Sequence, residues 1–102
     1  MNENGENIAL NLVKDRLGIR SSVRDSYLMA IIESVESELE NHQGIKIDVD
    51  SPDELMFLVD YVTYRYLNVS DSGGMPKNIY WRMKNLFIKK NGESKKWLLI
   101  LK

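Results

Sequence analysis

The chain contains no cysteine, a single histidine, two prolines and no apolar run approaching the roughly 18 residues of a membrane span. Without cysteine there is neither a disulfide nor a thiolate metal site, which fits a reducing compartment. With His42 as the only histidine there is no Cys/His pair and no multi-histidine metal site. It falls on an apolar stripe beside a helix end, where capping or packing is its expected role. Gly73-Gly74 lacks the preceding strand and the lysine and serine of a phosphate-binding loop, so it reads as a turn. Glu33, Glu36 and Glu40 share a helix face at spacings of three and four. In principle they suit a divalent cation, but a solvated acidic face is the commoner outcome. The pattern therefore assigns no catalytic residue, no metal and no cofactor, and the expectation is a protein that is not an enzyme. The first seven residues are polar and acidic, unlike a signal peptide, so the expected site of residence is the cytosol in which the chain is made.

What is present is helical punctuation. At 102 residues the chain suffices for one core. A first short helix is predicted over 7–17, with Ile8, Leu12, Val13 and Leu17 as its buried stripe and Gly18 as its stop. Ser21 or Ser22 is placed to cap a second helix running to His42, closed by Gly44 in the left-handed conformation. Tyr27, Leu28, Ile31, Ile32, Val35, Leu39 and His42 fall on one of its faces, and the acidic residues Asp25, Glu33, Glu36 and Glu40 on another. Residues 45–49 alternate apolar and polar and predict a short extended segment.

Ser51-Pro52-Asp53-Glu54 is the clearest signal: a capping serine, a proline where no amide is needed, and two carboxylates at the positive end of a helix dipole. The third helix, over 52–68, carries Leu55, Leu58, Val59, Val62 and Tyr66 on one side. Phe57, Tyr61 and Tyr64 project from the other, and in a domain this small that second side is expected to meet a neighbouring subunit. After a loop over 69–75, Pro76 opens a fourth helix to Gly92. Its core stripe is Ile79, Met83, Leu86 and Phe87. Trp81 and Ile88, flanked by Lys77 and Lys84, form a second candidate contact patch. The expected fold is all-α: a bundle of about four helices over 1–92, with a short extended segment and an extended C-terminal tail over 93–102.

Charge is unevenly placed. Residues 77–102 hold eight cations against one anion, a net of +7, and residues 1–76 hold six against fourteen, a net of −8. Such a molecule is suited to attract copies of itself or to present one end to an acidic partner. The tail adds a basic and apolar run, Lys95-Lys96-Trp97-Leu98-Leu99-Ile100-Leu101, whose five consecutive apolar residues at its end call for burial against this domain or another protein. Nucleic-acid binding is the alternative: the lysines and Trp81 of the fourth helix suit phosphates and bases, in a small helical regulator. The slightly acidic whole, with a pI of about 5.8, and the lack of a helix-turn-helix pair weigh against it.

The order of elements resembles the head-tail connector family of tailed bacteriophages. The likeness spans residues 8–90: the short helix, the Leu17-Gly18-Ile19 turn, the long helix from Arg24-Asp25-Ser26-Tyr27-Leu28 through Ile31-Ile32-Glu33-Ser34-Val35 to Glu40-Asn41-His42-Gln43-Gly44, then Pro52-Asp53-Glu54-Leu55 opening a tyrosine-rich helix. The resemblance implies a virion subunit at the head-tail interface, assembled in the host cytoplasm. Its usual form is a ring of twelve copies, docked beneath the portal protein and extending the DNA channel toward stopper or tail-completion proteins. It also implies at most weak, non-specific DNA contact in the channel, no membrane partner, and a portal-binding role for Lys95, Lys96 and Trp97 to Leu101. Phe57, Tyr61, Tyr64, Trp81 and Ile88 are the expected contacts between subunits.

Overall fold

The computed structural model describes residues 2–68 and 75–92. They form four helices: α1 (Glu3–Leu17), α2 (Asp25–His42), α3 (Pro52–Leu67) and α4 (Lys77–Gly92). No strand occurs among the described residues. The all-α expectation holds, and the tail over 93–102 lies outside the described residues.

Each helix end has a local cause. α1 begins four residues earlier than its apolar stripe suggests, because the Asn2 side chain accepts the Gly5 N–H at 2.8 Å. It closes at Gly18, whose φ of 72° suits a residue without a Cβ. The Gly18 and Ile19 amides then reach back to the carbonyls of Asp15 and Lys14, satisfying acceptors that the helix leaves open. The buried arc of α1 is Ala9, Leu10 and Val13, and Ile8 is turned outward. The stripe is rotated because α1 packs against both α2 and α3.

Neither Ser21 nor Ser22 caps α2 through its side chain. Arg24 is the capping position and makes no side-chain cap bond; the Ser22 carbonyl accepts the Asp25 amide at 3.1 Å instead. Lys14 of α1 meets the Asp25 carboxylate at 2.8 Å across this turn. At the far end Gly44 is left-handed, as expected, with φ 67°. The Ile45 amide returns to the Leu39 carbonyl at 2.8 Å.

Residues 45–49 keep the alternation but form no strand. Ile45 and Ile47 are buried while Lys46 and Asp48 face outward, and the Asp48 amide is held by the Glu54 carboxylate at 2.9 Å. Pro52 opens α3 at its first position; the Ser51 carbonyl accepts the Leu55 amide, and the serine side chain makes no cap bond.

α3 is the hub of the bundle. It packs against α1, α2 and α4, whereas α4 packs against α3 alone among the helices. This corrects the expectation that one side of α3 faces a neighbouring subunit. Phe57, at 1% exposure, and Tyr61, at 4%, are core residues of the protomer, and Tyr64 is half-buried and packed on the same core. Covered on three sides, α3 buries Phe57, Leu58, Val59, Tyr61 and Val62 together.

Candidate interaction surface on the fourth helix

α4 is seated by apolar and ionic contacts. Ile79, Met83 and Leu86 are buried in the core cluster. Arg82 meets the Asp60 carboxylate at 2.5 Å and lies 5.7 Å over the Phe57 ring; Arg16 of α1 holds the other Asp60 oxygen. Glu54, 4% exposed, receives Lys90 at 2.7 Å and Lys89 at 3.7 Å. A carboxylate taken out of water is tolerated only when paired and hydrogen-bonded, and Glu54 has two cations and the Asp48 amide.

These pairs redraw the charge map. Arg82, Lys89 and Lys90 are engaged by carboxylates of α3, so the basic half of the chain is partly neutralised within the protomer. Lys77 and Lys84 form no ion pair among the described residues. Both lie on the outer face of α4, where an advance of about 100° per residue places Lys77, Tyr80, Trp81, Lys84, Phe87 and Ile88 in one arc of about 120°. Trp81 is 61% exposed, and Tyr80, Phe87 and Ile88 are each exposed by two-fifths or slightly more. The Tyr80 and Trp81 rings meet nearly edge-on at 5.5 Å, and the Lys84 ammonium lies 5.4 Å from the Tyr80 ring centre. The pairing holds the two aromatic rings side by side as a platform.

Trp81 and Ile88 are thus brought together on an exposed face. Phe87, expected in the core, sits at the edge of this face, close enough to Gly44 that a Cβ there would lie 3.8 Å from its ring. Tyr80 is the residue that pattern reading missed; measuring the helical period from Ile79, Met83 and Leu86 would have placed it. Lys95, Lys96, Trp97, Leu98, Leu99, Ile100 and Leu101 lie outside the described residues.

A groove of about 240 Å³ between α4 and the end of α2 is lined by His42, Gln43, Met83, Lys84 and Phe87. His42 is exposed there, off the apolar stripe, and the lining contains no carboxylate, hydroxyl or thiol. The three glutamates of α2 share a helix side but not an environment: Glu33 and Glu40 are exposed, while Glu36 is buried. Burial, reinforced by the facing Glu6 carboxylate, pushes Glu36 up to about 7. No cluster of three metal-ligating side chains occurs among the described residues, and no helix there is long and apolar enough to cross a membrane.

A second network locks α2 to α3. Arg65 meets Glu38 at 2.5 Å and donates to the Tyr61 hydroxyl at 3.0 Å, and that hydroxyl donates to Glu38 at 3.3 Å. Burial and the Glu38 charge push the Tyr61 phenol up. Burial acts to lower Arg65, but its hydrogen bonds to Glu38 and Tyr61 outweigh this and raise it. Both groups keep one protonation state through the physiological range, so the network is structural.

No family model, curated protein or solved structure matches the chain. A functional reading therefore rests on the residues and their arrangement.

Proposed function

We propose that this chain is a structural subunit of a tailed-bacteriophage head-tail connector. In this reading copies form a ring, commonly of twelve, beneath the portal protein and extend the DNA channel toward the stopper or tail-completion protein. The observation that carries it is the outer face of α4. A helix that packs on one neighbour only presents Tyr80, Trp81 and Ile88 to solvent, a surface suited to protein contact. The resemblance over residues 8–90 supplies the family, and the lack of a catalytic constellation among the described residues agrees with a structural role. Lys95 to Leu101 are assigned to the portal.

The test is docking onto the portal protein encoded in the same genome, followed by native mass spectrometry. The full chain is expected to bind in a ring. Deleting residues 93–102 is expected to leave helical content unchanged and to abolish docking. A truncated chain that cannot fold, or one that docks as well as the full chain, contradicts the role given to the tail.

The second reading, a nucleic-acid-binding regulator, is favoured by Lys77 and Lys84 beside Trp81. Only these two cations of α4 through Lys90 are not taken by α3 carboxylates, too few for strong phosphate neutralisation. Tight, sequence-selective binding to a short duplex at physiological salt would establish that reading in place of the connector.

A further inference from the structure

The outer face of α4 has a complement elsewhere on the same chain. Between α1 and the first half of α2 lies an open groove of about 410 Å³, lined by Leu10, Asp25, Ser26, Met29, Ala30 and Glu33. Its floor is apolar and its rim is acidic. Glu33 is exposed and forms no ion pair among the described residues, and Asp25 is held on one oxygen by Lys14. On α4, Trp81 is bracketed by Lys77 and Lys84, which are seven residues and about 10 Å apart along the axis. Asp25 and Glu33 are eight residues and about 12 Å apart along α2. Aromatic bulk between two cations thus matches an apolar floor between two carboxylates, at similar spacing.

The two surfaces cannot meet within one protomer. α4 lies at the His42 end of α2, where Phe87 approaches Gly44, and the groove occupies the opposite half of a helix about 27 Å long. We infer that the Trp81 face of α4 docks into the α1–α2 groove of a second copy of this chain. Because face and groove are different surfaces, the contact is heterologous: each copy that docks leaves one face and one groove open, so assembly continues until a ring closes or a filament grows. The inference deepens the connector reading and rests on it for the closed ring, but the pairwise contact is testable without a portal.

The test uses the full chain and two surface variants, Trp81→Ala, which removes the face, and Ala30→Arg, which blocks the groove. Both residues are exposed, so both variants are expected to keep the helical circular dichroism of the parent. In sedimentation velocity the parent is expected to grow beyond a dimer with concentration, and each variant alone to weaken association by about thirtyfold or more. An equimolar mixture is decisive: the intact groove of Trp81→Ala accepts the intact face of Ala30→Arg, giving a heterodimer that cannot extend. Where Ala30→Arg fails to fold, Glu33→Lys reports on the same groove and is expected to weaken association at least tenfold.

A parent that stays monomeric to hundreds of micromolar, one that stops at a symmetric dimer, or variants that associate unchanged would overturn the inference. So would a Trp81→Ala protein that loses duplex DNA binding while still assembling. Portal docking with Ala30→Arg assembling unchanged refutes this contact and leaves the connector reading standing. The mixed heterodimer without portal docking does the reverse.

Discussion

α3 and α4 have similar lengths and both carry several aromatic rings, yet they occupy opposite positions in the fold. α3 is enclosed by three helices and buries Phe57 and Tyr61, whereas α4 rests on α3 alone and leaves Tyr80 and Trp81 in contact with solvent. Ring content therefore does not distinguish a core helix from an interface helix; what decides is which elements arrive to cover each side. The second side of α3 is covered within the protomer, Phe57 by Arg82 of α4 and the Tyr61 hydroxyl by Glu38 of α2. The corresponding side of α4 has no cover among the described residues.

The comparison is broken most severely by cutting into α3. Phe57→Ala is expected to cost about 3–5 kcal/mol of unfolding free energy, because a fully enclosed ring leaves a cavity and loses its contact with Arg82. Trp81→Ala is expected to change stability by no more than about 0.5 kcal/mol, since its indole is mostly in water. Urea denaturation of the two variants at a concentration where the chain is monomeric checks both. Equal losses would mean that α4 is as enclosed as α3.

The seating of α4 gives an intermediate effect. Lys90→Met leaves the buried Glu54 carboxylate with Lys89 at 3.7 Å and the Asp48 amide, and is expected to destabilise by about 2 kcal/mol. Hydrogen exchange in that variant should quicken first in α4, before α1 and α2. Uniform quickening would show that the Glu54 pairs do not hold α4 specifically.

The next effect, smaller than that of Lys90→Met, concerns α2 and depends on pH. Because burial raises the Glu36 carboxyl to about 7, the folded state binds a proton that the unfolded chain has released, so this group lowers stability as pH rises from about 4.5 to 7. Glu36→Gln is expected to be no more stable than the parent near pH 4 and about 1 kcal/mol more stable at pH 8. A constant difference across that range would place Glu36 in water.

Local punctuation was legible in the sequence because it depends on neighbours in the chain. Gly18 and Gly44 adopt the left-handed stops that their positions demand, and Pro52 opens α3. Ser51 occupies the capping position of α3 without a side-chain bond, and Ser21 and Ser22 yield the α2 capping position to Arg24, because residue type alone does not fix the rotamer or the turn that precedes a helix. Long-range facts were less accessible. Glu36 borders the α2 stripe, and its burial requires α1 to widen that stripe; Phe57 and Tyr61 look like a spare face of α3 until Arg82 of α4 is placed over the Phe57 ring and Glu38 of α2 against the Tyr61 hydroxyl. For the candidate site, Trp81 and Ile88 were found from helical spacing, but Tyr80 was not. The pairing of Arg82, Lys89 and Lys90 with α3 carboxylates could not be read from a linear charge count.

The distinction between a helix that is already covered and one that awaits a second copy is read most directly by oxidative side-chain footprinting of the full chain across a dilution series, with modification located by mass spectrometry. Phe57 and Tyr61 are expected to stay protected at every concentration, and Tyr80 and Trp81 to be labelled in the dilute monomer and protected as the chain associates. Trp81 labelled to the same extent at every concentration, while the chain demonstrably assembles, would contradict the account.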